Sequence, residues 1–188
     1  MDRPAESIER PPVLLRRWRQ SDLYRAHHVV TESLPHLRPW MAWAVGEYTL
    51  DTMARFLDDS DRKWRDGAEF GYAITVGGAI VGCISLMDRV GPGGLEIGYW
   101  LHPAHTGRGL VTTAAAALVE QAFALPGVEH VEIWHDAANT ASGGVPHRLG
   151  FTEVERRSPP RETPLTSGEC GVDVVWRLTR RQHAAAGS

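Results

Sequence analysis

A mixed α/β fold (α+β in its ordering), built on a mostly antiparallel sheet with helices on its faces, is predicted by three stretches of this sequence. From Phe70 the apolar residues alternate through FGYAITV and GGAIVGCISL, joined at Gly77-Gly78 in the manner of a hairpin turn. GPGG at 91–94 then turns the chain into LEIGYWL. From Leu95 to Ala124 a strand passes through a glycine-punctuated turn into an alanine-rich helix. Strands that start as a meander and continue with helices between them form a mixed sheet covered on its faces.

The elements follow in order. Residues 1–12, polar and Pro-rich, and 180–188, RRQHAAAGS, are expected to be frayed ends around a single domain spanning 13–179. Val13 to Trp18 reads as a first strand. Ser21 and Asp22 supply N-cap chemistry for a helix carrying Leu23, Ala26, His27, Val30 and Leu34 at helical spacing. A second helix is expected from about Asp51, with Met53, Phe56, Leu57 and Trp64 as its apolar positions. After the alanine-rich helix come a strand VEHVEIWH, a short helix ending LGF, and a last strand CGVDVVWRL.

The composition bounds the function. With 188 residues, 43% of them hydrophobic, the chain is long enough for one ordinary core. A formal charge of -3 argues against binding nucleic acid by phosphate neutralisation, which needs clustered Lys and Arg. No apolar run reaches the roughly 18 residues of a membrane span. Cys83 and Cys170 are too few for a disulfide framework, and the N-terminus has no hydrophobic signal core, so a reduced, cytoplasmic setting is expected. The nine histidines lack metal-ligand spacing, and no metal is expected. Oligomeric state is left open, a homodimer included.

The turn at 106–112 carries the first functional signal. Gly107 and Gly109 remove side chains where backbone N–H groups would approach an anion, and the following helix offers its unpaired N-terminal amides and positive dipole end. A phosphorylated cofactor is the expected guest. TGRGLV fits neither a Walker loop nor GxGxxG.

LRPWMAWA near residue 40, the YAI…IVGCISL hairpin, EIGYWLHPAHTGRGL and NTAS…RLGF occur in one order along the chain. In this combination the chain resembles the GNAT superfamily of acyl-CoA-dependent N-acetyltransferases, and most closely its RimJ/RimL branch, the ribosomal-protein N-terminal acetyltransferases. The resemblance implies a sheet of six to seven strands splayed between strands 4 and 5, with acetyl-CoA or coenzyme A as cofactor. It places the pyrophosphate loop on Thr106, Gly107, Arg108, Gly109, Leu110, Val111 and Thr112. Thr106 and Val111 depart from the family's Q/R-x-x-G-x-G/A pattern, and Val111 is expected to crowd the diphosphate slightly.

The resemblance also implies that Trp100, Leu101 and His102 line the pantetheine path, that Gly98 forms a bulge that splays the strand, and that Asn139 bonds the pantetheine arm. His147 and Arg148 would approach the distal phosphate. Ser142 would sit near the sulfur as proton donor, and Glu96 would take the amine proton. Glu96 shares a strand face with Trp100, and burial beside it favours a base working near neutrality. The plainer readings are a solvated strand residue for Glu96 and a helix cap for Ser142. Trp40, Trp43 and Trp100 are candidates for the acceptor pocket, against a core role.

A free α-amine has a pKa of about 8 and a lysine about 10.4, so the chemistry favours α-amines or amino sugars of lowered pKa. The expected function is therefore direct acetyl transfer to a primary amine, at a protein N-terminus or on a small molecule such as an antibiotic. A non-catalytic acyl-CoA-binding module is the alternative from another class.

Overall fold

In the computed structural model, which describes residues 3–186, eight strands form one sheet: β1 (Ser7–Arg10), β2 (Val13–Arg17), β3 (Glu69–Val76), β4 (Ala79–Met87), β5 (Gly94–Leu101), β6 (His130–Asp136), β7 (Thr152–Arg157) and β8 (Asp173–Thr179). Their spatial order is β1-β2-β3-β4-β5-β6-β8-β7, and every neighbouring pair is antiparallel except β5–β6. The two strands beyond the six read along the sequence lie at the sheet edges. Ser7–Arg10 pairs with β2, although its Pro-rich surroundings read as a frayed end. TEVERR of β7 is exposed throughout and so lacks the apolar alternation that marks a strand.

The C-terminal segment is likewise ordered as a helix, α5 (Arg180–Ala186), where a flexible tail was expected. Arg180 secures its start by donating to the carbonyls of Phe123, Leu125 and Val128. The expectation of frayed ends at residues 1–2 and 187–188 lies outside the described residues.

Helices cover both faces. On one side α1 (Leu23–Leu37) and α2 (Leu50–Asp66) pack Ala26, Val30, Leu34, Met53 and Leu57 against Ala73, Cys83 and Trp100. On the other, α3 (Leu110–Ala124) sets Leu110, Ala114, Leu118 and Ala122 on Tyr72, Ile84, Ile97 and Ile133. The period-two alternation of the strands delivers one set of side chains to each layer. Thr49 caps α2 through its hydroxyl, and Gly67 ends it at φ 75. Asp22 precedes α1 but gives it no side-chain cap; its carboxylate takes a bidentate pair from Arg16 at 2.7 and 2.8 Å and the amide of Arg19.

Counted from β2, with the unexpected β1 left aside, the splay lies between the fourth and fifth strands, which are β5 and β6. β5 and β6 pair only through Gly94↔His130, Leu95↔Val131 and Glu96↔Glu132, after which the strands part. Its cause differs from the expected bulge at Gly98. The β4–β5 ladder runs without a register shift from Met87↔Glu96 to Gly82↔Leu101. A Cβ at Gly98 would stand 2.9 Å from Met87 Cε, so a larger residue there would only have to move the flexible end of that methionine. A short helix, α4 (Thr140–Arg148), follows β6 beside the opening.

Candidate active site

Beyond Glu96, residues Ile97 to Leu101 of β5 have no strand partner on the β6 side, which frees backbone groups along one wall of a wedge. Leu101 is buried in the core, and Trp100 faces the α1–α2 layer. His102 does not reach into the wedge with its ring. Its Nδ1 accepts from Ala104 N at 3.2 Å, capping the turn Pro103–His105, and Nε2 lies 3.4 Å from Glu32.

At the foot of the wedge, Gly107 (φ 72) and Gly109 (φ 73) adopt left-handed backbone that other residues take only at a cost. A Cβ added at either glycine would meet no atom within 4 Å beyond its own chain neighbours, so the space in front of the turn is open. Gly109 is the N-cap of α3 and offers no side-chain cap; the first amide of the turn to bond back is Thr113 N, to Gly109 O at 2.9 Å. The amides of Leu110, Val111 and Thr112 therefore have no helical acceptor, and the dipole end is positive. Thr106 bonds locally, its hydroxyl donating to Pro103 O at 2.9 Å. Val111 packs partly buried against the core cluster, so its bulk points inward and the expected crowding of a diphosphate loses its basis.

Two cations frame the cradle. Arg108 is exposed beside it, and Arg148 reaches from α4 to donate from Nε to Thr112 Oγ1 at 3.2 Å. His147 is placed elsewhere, with its ring edge-on to Trp176 at 6.3 Å. Desolvation, Arg108 and His102 together hold His105 below the usual histidine range, so it stays neutral beside the loop at pH 7. These residues fit a diphosphate: open space, unpaired amides and arginine.

Asn139 caps α4, its Oδ1 accepting from Ser142 N at 3.2 Å. Ser142 faces β5: its hydroxyl donates to Tyr99 OH at 3.3 Å, while Tyr99 OH donates to the Ser142 carbonyl at 2.9 Å. Nothing in the spacing of GYW marks the partner of Tyr99, which lies 43 positions on.

A cavity of about 980 Å³ extends from Tyr99, Asn139 and Ser142 past the apex of the splay to an aromatic wall. Trp40, Trp43 and Trp100 all lie on it, with Trp43 6.1 Å from Trp100 and 5.9 Å from Tyr48. The loop 158–172 closes over this end. Gly168 N donates to Pro39 O at 2.9 Å, and Thr166 donates to the same carbonyl.

Glu96 is on the cavity wall and 2% exposed, but it is not a free base. Arg161 grips it in a bidentate pair at 2.9 and 3.0 Å, and Arg89 donates to Oε1 at 2.6 Å. Arg161 in turn sets its Cζ over the Trp134 ring, 4.1 Å from the centroid. The expectation that Glu96 presents an oxygen to an amine thus meets a carboxylate whose two oxygens are already engaged. The sequence held no signal for this, because Arg161 comes from the unpatterned stretch RRSPPRETPL. His135 is equally committed: Trp176 Nε1 donates to its Nε2 at 2.9 Å, leaving Nδ1 to donate to Asp136 O at 2.8 Å.

Comparison with known proteins places this geometry. YdaF of Bacillus subtilis (strain 168), provisionally named a ribosomal N-acetyltransferase, is 30% identical over 144 residues, covering 75% of this chain and 78% of that protein. Among solved structures, RimL, a ribosomal L7/L12 α-N-protein acetyltransferase in complex with coenzyme A, superposes with a TM-score of 0.85 at 19% identity, over 94% of this chain and 99% of that one. Mycobacterium smegmatis RimJ, in complex with a CoA-disulfide, gives 0.78 at 22% identity, over 93% and 89%. At these identities the two structures establish likeness of fold. The family described as the acetyltransferase (GNAT) domain matches residues 13–152, and such a match favours a transferase over a passive binding module. The chain belongs to the acetyltransferase (GNAT) domain family.

Proposed function

We propose that this enzyme transfers acetyl from acetyl-CoA directly to a protein N-terminal α-amine. The observation that carries the reading is the engagement of both Glu96 oxygens by Arg89 and Arg161. A site whose Glu96 carboxylate is occupied suits an acceptor that needs little help to lose its proton. An α-amine, with a pKa near about 8, is about one-tenth neutral at pH 7, whereas a lysine is neutral only to about one part in 2,500. The names of the relatives, ribosomal and α-N-protein acetyltransferases, agree with such an acceptor.

When bound, acetyl-CoA supplies an activated thioester carbonyl. The amides of Gly107 to Thr112, with Arg108 and Arg148, would hold its diphosphate. Asn139, besides capping α4, lies on the cavity wall where the pantetheine arm would run, opposite the unpaired edge of β5 from Ile97 to Leu101. Glu96 keeps Arg89 and Arg161 in place at the acceptor end, and the Trp40, Trp43 and Trp100 wall excludes water around the entering amine.

Direct transfer is favoured over an acyl-enzyme by the state of Cys83. Burial, with Glu69 as a lesser cause, pushes that thiol up to about 12, so it stays protonated and is a poor nucleophile. A second reading, a small polycationic amine, is favoured by Glu162, Glu169 and Asp173 on the cavity wall. Incubation of the enzyme and acetyl-CoA with peptides bearing a free α-amine, Nα-blocked lysine peptides and amino sugars, read by mass spectrometry, separates the two. Acetyl on the α-amine alone is expected; modification only of amino sugars or lysines would refute the reading.

A further inference from the structure

We propose that Tyr99 is a positioning residue that sets the Ser142 hydroxyl as hydrogen-bond donor to the thioester sulfur, and that this pair stabilises the departing thiolate without surrendering a proton. The inference rests on the acetyl-transfer reading above. Tyr99 stands three residues past the last β5–β6 rung, where its ring spans the wedge to α4. Its single hydroxyl proton is committed to the Ser142 carbonyl at 2.9 Å, which turns its lone pairs toward Ser142 Oγ at 3.3 Å. Ser142 is thereby held at three points: its amide by Asn139, its carbonyl and its hydroxyl by Tyr99.

Such fixation matters because α4 is a poor helix. Gly143 and Gly144 each cost about 1 kcal/mol of helix propensity, and Pro146 lies inside the segment. The cavity reaches both Tyr99 and Ser142, so the hydroxyl pair faces the space where the thioester would lie.

The chemistry decides between proton donor and hydrogen-bond donor. Burial raises the Tyr99 hydroxyl to about 12, with Ser142 and Arg148 pulling the other way. A coenzyme thiol ionises at about 8.5, so passing a proton from Tyr99 through Ser142 to sulfur runs uphill. The proton balance does not need it. As the N–C bond forms and the C–S bond breaks, the attacking nitrogen must lose one proton, and the thiolate can take one. Ser142 therefore swings its O–H from Tyr99 to the sulfur and keeps it, which corrects the simpler expectation of Ser142 as an acid.

The test is a double-mutant cycle of Tyr99→Phe and Ser142→Ala, read by turnover and by calorimetry with coenzyme A and desulfo-coenzyme A near pH 9. In Ser142→Ala the tyrosine still holds the carbonyl of residue 142, so any purely structural role survives there. Each single variant should lower kcat about tenfold or more, as for one charge-assisted hydrogen bond. The double variant should be no slower than Ser142→Ala alone. Both single variants should bind coenzyme A thiolate about tenfold more weakly, with desulfo-coenzyme A unaffected. An equal cost of Tyr99→Phe in both backgrounds, or equal weakening for the two coenzymes, would overturn the proposal. If the wild type binds coenzyme A but acetylates no amine, the transfer reading fails while the binding cycle still judges Tyr99. No coenzyme binding at all refutes both.

Discussion

Glu96 and Glu132 face each other across the last rung between β5 and β6, and each is only 2% exposed. Two buried carboxylates side by side repel unless each is compensated. Arg89 and Arg161 compensate Glu96. Arg177 compensates Glu132 from Nε at 2.8 Å and Nη2 at 2.5 Å, and Trp134 Nε1 donates to its other oxygen at 2.7 Å. Since Arg161 also covers Trp134, the two clusters form one network at the apex of the splay. That network sits where the strands part and, through Arg161, ties the 158–172 loop to the cavity wall.

Glu96→Gln separates a positioning role from a catalytic one. For a positioning role, turnover on an α-amine peptide should fall less than about tenfold; a general base would cost about 10²-fold or more. The thermal midpoint should drop, by about 1–3 kcal/mol of stability, below the full cost of a broken buried pair because both guanidiniums keep solvent. Steady-state kinetics alongside a thermal melt checks both.

Gly109→Glu places a side chain and a negative charge at a left-handed position in the anion cradle. Coenzyme A affinity should fall by more than about 100-fold, from electrostatic repulsion added to backbone strain. Calorimetry of the folded variant measures it, and affinity within tenfold of the wild type would contradict the placement of the socket.

Trp43→Ala removes the most exposed part of the aromatic wall, at 45% exposure, so little stability is at stake. KM for the acceptor should rise about tenfold or more while acetyl-CoA affinity is unchanged. A shift confined to the coenzyme would place the wall on the wrong ligand.

Asp136 carries an acid-side stability term. Burial pushes its carboxyl upward, but amide bonds from Cys170, Ala138 and Gly171 outweigh that and hold it below the ordinary 3.8. A depressed folded value stabilises above 3.8 and loses its contribution as pH falls through the lower folded value. Asp136→Asn should flatten that part of the stability curve below about pH 4 and lower the midpoint at pH 7 by roughly 3–10 °C. Melts across pH 2 to 7 test it; a variant with the wild-type acid limb would show that another group is responsible.

The glycine turn, the helix after it, and the hairpin at Gly77-Gly78 were legible because each depends on local backbone demands written into neighbouring residues. The edge strands were not. β7 has no buried face, and β1 is specified by pairing with β2 rather than by its own pattern. Glu96, Asn139 and Ser142 were named through the family resemblance and all three line the cavity, yet their partners were not legible. Arg161 lies 65 residues from Glu96 and Tyr99 lies 43 from Ser142, separations that only the assembled sheet closes.

The most direct measurement is the pH dependence of kcat/KM for a series of peptides whose α-amines differ in pKa. With the apex carboxylate engaged by two arginines, the rising limb should track the pKa of each acceptor and persist in Glu96→Gln. A limb that stays fixed whatever the acceptor, and vanishes in Glu96→Gln, would show that Glu96 takes the proton after all.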